Sequence, residues 1–121
     1  MDQPIRVVVA NQPRLMRDLI LGTIAEELNI DVVAEVQTEV EIVKVVDDTH
    51  PDFLIVSLNA SSQRPAVCDI LLKRYPELKI LALAPERNSG MFYWASFDVH
   101  EIPVESSEAG ILNLIRKTQV A

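Results

Sequence analysis

The stretch Pro51-Asp52-Phe53-Leu54-Ile55-Val56-Ser57-Leu58-Asn59 constrains the chain most. It is a continuous apolar run introduced by His-Pro-Asp and closed by Asn-Ala-Ser-Ser. That pattern suits a strand buried on both faces, as parallel strands under covering helices are. In sheets of this kind, sites form beyond the carboxyl ends of the strands. Ser57 therefore stands where a functional side chain is expected, and it is a neutral hydroxyl.

The flanking segments supply the remaining strands and the helices between them. Ile5 to Ala10 is a β-branched run that stops at Asn11-Gln12-Pro13, and it reads as the first strand. Leu15, Leu19, Ile20, Ile24 and Leu28 then recur at helical spacing up to Asn29. Val32 to Val36 is the second strand, and Thr38 with Glu41 forms a capping pattern before the next helix. That helix, Glu39 to Asp48, is rich in β-branched residues that favour a strand. However, Val40, Val43 and Val46 share one helical face, and a parallel crossover needs about a dozen intervening residues, usually helical. After the central strand, Pro65 opens a helix with Val67, Ile70 and Leu71 inward, which Pro76 stops. Lys79 to Ala84 is the fourth strand, Met91 to Phe97 is expected as a short helix, and Val99 to Ile102 as a fifth strand. Ser106 or Ser107 caps a last helix with Ile111, Leu112, Leu114 and Ile115 inward. Five strands alternating with five helices predict an α/β doubly wound parallel sheet within one domain, residues 1–121.

Charge and cysteine usage narrow the function classes. With 11 basic and 18 acidic residues the formal charge is −7, and no concentrated basic patch opposes it, so direct nucleic-acid or anionic-membrane binding is not expected. Arg14 with Arg17, and Lys73 with Arg74, read as solvated helix faces. The single cysteine, Cys68, excludes an internal disulfide framework and fits a reducing compartment, with a packed thiol. The amino terminus lacks a signal-peptide pattern and no apolar run approaches a membrane span, so a cytoplasmic location is expected.

Three loops should converge over the carboxyl edge of the sheet, led by Asn11-Gln12, by Ser57 and by Ala84. Here the chain resembles the receiver (CheY-like) domains of two-component response regulators, most closely the LuxR/NarL-type class that precedes a helix-turn-helix. IRVVVANQPRLMRDLI, DVVAEVQT, HPDFLIVSLN and YPELKILALA follow that family's pattern in order and spacing over nearly the whole chain. The resemblance implies a flavodoxin-like (βα)5 fold with a five-stranded parallel sheet in the order 2-1-3-4-5. It also implies where a phosphoacceptor pocket would lie. A working receiver carries an acidic pair after its first strand and a phosphorylated aspartate after its third. A Thr or Ser follows its fourth strand and a Lys its fifth. Here Asn11 and Gln12 stand for the acidic pair, Ser57 for the aspartate and Ala84 for the hydroxyl. The Lys is absent at Ile102 or Val104, and Asn59 completes a neutral pocket.

These substitutions imply a degenerate receiver. A hard cation such as Mg²⁺ needs carboxylates to offset its dehydration, so no metal or other cofactor is expected. A hydroxyl without a metal or Lys is a poor acceptor of a transferring phosphoryl group. Other enzyme chemistry is not expected either. Ser57 lacks the glycines of a nucleophile elbow, His50 and His100 lie toward the opposite edge of the sheet, and three glycines leave no phosphate-cradling loop. The most unusual local composition lies elsewhere: Phe92, Tyr93, Trp94 and Phe97, four of six aromatics, fall together beside Met91. Phe92 and Phe97 are expected in the core. Met91, Tyr93, Trp94 and Glu101 are expected to form a contact surface, with Glu101 near the place of the receivers' aromatic switch residue. The expected role is a phosphorylation-independent regulatory module in signal transduction or transcription regulation that contacts a protein partner or forms a homodimer. A DNA-binding output domain would lie outside this chain. The alternative is a small-ligand sensor using the neutral pocket.

Overall fold

The computed structural model describes residues 3–58, 63–96 and 99–120, the last three by their backbone alone. The expected strand-helix alternation holds through the first four strands: β1 (Ile5–Ala10), α1 (Arg14–Ile24), β2 (Ile30–Glu35), α2 (Ile42–Thr49), β3 (Phe53–Ser57), α3 (Ala66–Arg74) and β4 (Lys79–Ala84). β5 (Ser89–Ala95), β6 (Val99–Val104) and α4 (Glu108–Val120) follow. The sheet has six strands in the order β2-β1-β3-β4-β5-β6, with β1 to β4 parallel and β5 and β6 antiparallel. Its leading part matches the expected doubly wound α/β fold, and β3 is central, with Phe53, Leu54 and Ile55 fully buried. Ile20 and Ile24 of α1 and Ile111, Leu112 and Ile115 of α4 cover one face. Ile42 and Val46 of α2 and Val67, Cys68, Leu71 and Leu72 of α3 cover the other.

The segment expected as a short helix, Met91 to Phe97, is the main correction. Met91 to Ala95 belong to β5, which pairs Ile80 with Tyr93 and Ala84 with Ser89 in a hairpin with β4. Only Pro85 to Asn88 separate the two strands, too few for a parallel crossover, and a 3₁₀ turn over Pro85–Arg87 reverses the chain at Asn88, whose φ is 49°. Aromatic residues favour the pleated surface, and alternation sends Phe92 and Trp94 to one face and Met91, Tyr93 and Ala95 to the other. The following strand is longer than expected, reaching Val104, and runs antiparallel beside β5 instead of parallel beside β4. The sheet is therefore mixed and six-stranded, and the described residues contain four α-helices. Phe97 lies outside the described residues.

Several inward stripes also shift. α1 ends at Ile24, and Leu15, Leu19 and Leu28 are exposed while Arg17 turns inward with Ile20 and Ile24. Val40 is exposed on a 3₁₀ turn, Glu39–Glu41, that precedes α2. The Thr38 hydroxyl donates to the Glu41 carboxylate at 2.7 Å and does not cap a backbone N–H. In α3, Ile70 is exposed and Cys68 is packed, so burial, then the neighbouring Asp69, pushes its thiol up to about 12. Ser107 caps α4 as expected, its Oγ accepting the Gly110 N–H at 3.0 Å.

Candidate functional site

β1, β3 and β4 end side by side, and Asn11 and Gln12, just after β1, meet the last residues of β3 and β4. Ser57, the last residue of β3, neighbours Leu83 across the ladder, one residue before Ala84. Its Oγ accepts the Gln12 N–H at 2.7 Å and donates to the Gln12 carbonyl at 3.2 Å. The hydroxyl thus fastens the loop after β1 onto the end of β3, using both of its hydrogen-bonding roles.

Asn11 lies beneath, with no exposed surface. Its Nδ2 donates to the carbonyls of Val56, at 2.9 Å, and Leu83, at 3.4 Å, so one amide ties β1 to β3 and β4. Its Oδ1 is buried without a hydrogen-bond partner. Ala84 is buried and offers only a methyl group.

Arg17 completes the site, and the sequence reading placed it on a solvated face. It is 7% exposed, donates from Nη1 to the Asn11 carbonyl at 3.3 Å, and lies 3.9 Å from the Glu35 carboxylate. Its spacing of three and seven residues from Ile20 and Ile24 is the signal that marks it as inward. Arg87 donates to the Leu58 carbonyl at 3.3 Å, fastening the turn after β4 to the chain after β3. Arg64 pairs with Asp69 at 2.8 Å and Glu101 at 3.7 Å. Amide, hydroxyl and guanidinium groups thus surround the strand ends, with Glu39 the one acidic residue lining the cleft beside Ser57, where a cation site would need several carboxylates. A cleft of about 510 Å³ opens beside Ser57, lined among others by Gln12, Ile42, Arg64 and Val67.

Val104 does not belong to this site. Ser57, Leu83, Gly90 and Val104 lie in one row across four adjacent strands, which puts Val104 roughly 14 Å from Ser57. The inserted β5 moves the last strand away from β4, so a long side chain at Val104 would not serve the pocket. Asn59 lies outside the described residues.

The expected contact surface is also divided. Met91, Tyr93 and Glu101 face the α2 and α3 side, whereas Trp94 faces the α4 side. Tyr93 is wholly buried, with the Arg64 guanidinium 6.0 Å from its ring centroid, and burial pushes its hydroxyl up to about 12. Trp94 stacks between Phe92, at 5.3 Å, and His100, at 4.9 Å, and remains partly exposed. Alternation along a strand separates adjacent residues onto opposite faces, so Tyr93 and Trp94 cannot share one surface.

No protein-family model matches the chain, and no curated protein matches it. Among solved structures, the chain is similar to the signal receiver domain of the response regulator NarL from Mycobacterium tuberculosis, with a TM-score of 0.55 and 16% identity. The likeness covers 65% of this chain and 64% of that one. The parallel β1 to β4 core, its covering helices and this likeness together give the chain the α/β fold of a CheY-like receiver domain, extended here to a six-stranded sheet.

Proposed function

We propose that the chain is a receiver-like regulatory module that works without aspartyl phosphorylation, through contact with a protein partner or a second copy. The observation that supports this reading is the closed bond between Ser57 and the backbone of Gln12. In a phosphorylatable receiver that space serves a metal and a phosphoryl group. Here a hydroxyl occupies it, with Asn11 spent on two carbonyls beneath. Signalling roles, including transcription regulation through an output domain elsewhere, are part of the proposal. So is a cytoplasmic setting, for which the support is that no helix among the described residues is long and apolar enough to cross a membrane.

Incubation with acetyl phosphate and Mg²⁺, followed by intact mass and sedimentation on the same sample, tests the proposal. Mass and association state should both stay unchanged, and a stoichiometric phosphoryl adduct would overturn it. The cleft beside Ser57 supports a second reading, a small-ligand sensor, because its Gln12, Glu39 and Arg64 suit a polar ligand. A thermal-shift screen in which a metabolite stabilises the wild type but not Arg64→Ala would favour that reading.

A further inference from the structure

A cavity of about 540 Å³ opens where the loop after β1 meets the start of α1 and the end of β2. Gln12, Arg14, Arg17, Asp18, Glu35 and Gln37 are among the residues that line it. Two guanidiniums stand against two carboxylates, so the lining favours neither a plain anion nor a plain cation. Arg14 and Asp18 pair with each other at 3.7 Å, both exposed to water.

Arg17 differs because its side chain is buried. Among the described residues it donates one hydrogen bond, from Nη1 to the Asn11 carbonyl at 3.3 Å. Its Nε is buried without a hydrogen-bond partner, and the Glu35 carboxylate stands 3.9 Å away, beyond hydrogen-bonding reach. A buried guanidinium with donors left unmet is costly and calls for an acceptor. Beside it, Pro13 leaves the N terminus of α1 without a side-chain cap, and no acidic residue stands in the first turn. The free N–H groups and the helix dipole there favour a carboxylate.

We propose that this cavity binds a small polar α-amino acid. Its carboxylate would accept hydrogen bonds from Arg17 and from the first N–H groups of α1, and its ammonium would donate to Glu35. One carbon carries both charged groups of an α-amino acid, which matches a cation and an anion only 3.9 Å apart. The Glu35 side chain is more than half exposed and can turn from Arg17 toward the ammonium. The Gln12 and Gln37 amides would serve a polar side chain, and the volume falls within the range of small-molecule sites. Of its lining residues, only Gln12 is shared with the Ser57 cleft. A phosphoryl adduct at that cleft would leave the amino-acid site standing, so the two proposals fail separately.

Two-dimensional proton–nitrogen NMR reads the site directly through the Arg17 Nε–H, whose burial protects it from exchange. Titration with L-serine, L-asparagine and L-glutamine should shift that signal saturably with at least one of the three. The N-acetyl derivative of the same amino acid keeps only the negative charge and its carboxamide only the positive one. Each should bind roughly tenfold more weakly than the parent, as expected for the loss of one charged hydrogen bond. Glu35→Gln alters an exposed residue and should keep the fold. It should bind the amino acid roughly tenfold more weakly and the N-acetyl derivative as the wild type does. No saturable shift with any of the three overturns the proposal. So does an N-acetyl derivative that binds as tightly as its parent, which would make the cavity a plain anion site. Equal amino-acid affinity of wild type and Glu35→Gln overturns it as well.

Discussion

Asn11 shows why a neutral residue in place of an acid is a structural commitment here. Its Nδ2 donates to carbonyls on two neighbouring strands, so a carboxylate at the same position would face two acceptors with nothing to donate. Asn11→Asp should destabilise the fold by roughly 2–3 kcal/mol at neutral pH, the cost of a buried unpaired polar group. Burial raises the folded-state pKa of such an aspartate above its unfolded value of about 3.9. The loss should therefore be small at about pH 4, grow as pH rises, and level off above the folded-state value. Urea unfolding of both proteins across that range checks this, and a pH-independent difference would count against it. The sequence shows that Asn11, Gln12, Ser57 and Ala84 are neutral and that they converge. It does not show that the side chains of Asn11 and Ser57 bond to backbone instead of opening to a ligand, because that depends on how closely the ends of β1, β3 and β4 approach. Arg17 was legible from its spacing to Ile20 and Ile24, but its charge argued for the surface.

At the scale of the element, β5 decides the shape of the molecule's second half. Met-Phe-Tyr-Trp-Ala alternates between faces and favours a strand by propensity, yet strict strand-helix alternation in the preceding chain argues for a helix. The turn resolves the conflict: Pro85 to Asn88 cannot span a crossover but suit a tight reversal that returns the chain beside β4. Gly90 permits the close approach. A Cβ there would stand 2.8 Å from the Leu83 side chain, 3.0 Å from the Val104 carbonyl and 3.2 Å from the Ala82 carbonyl. Gly90→Ala should cost roughly 1–3 kcal/mol through overpacking against both neighbouring strands. Tyr93→Phe should cost almost nothing or stabilise slightly, because the Tyr93 hydroxyl is buried without a partner. Denaturant midpoints of the two variants would separate the claims. A tolerated Gly90→Ala or a strongly destabilising Tyr93→Phe would mean that the hairpin packs differently.

For the whole molecule, the response to acid sets two trends against each other. The chain carries a formal charge of −7, so protonating its carboxylates first relieves self-repulsion and favours the compact state. Asp47 opposes this. Its carboxylate on α2 accepts hydrogen bonds from Tyr75, just after α3, and from Arg74 Nη1 at 2.9 Å, fastening together the two helices that cover one face of the sheet. The Tyr75 hydroxyl, then the Arg74 guanidinium, hold the Asp47 carboxyl below its ordinary value of 3.8. A depressed folded-state pKa means that the stabilisation is complete above the unfolded value and is lost as pH falls through the folded one. Thermal midpoints should thus hold or rise from neutrality to about pH 4 and fall below it. Asp47→Asn should start lower at neutral pH and lose less in acid, so that the two curves converge as pH falls. Parallel curves over the whole range would show that Asp47 contributes through packing alone, with no ionic tie between α2 and α3.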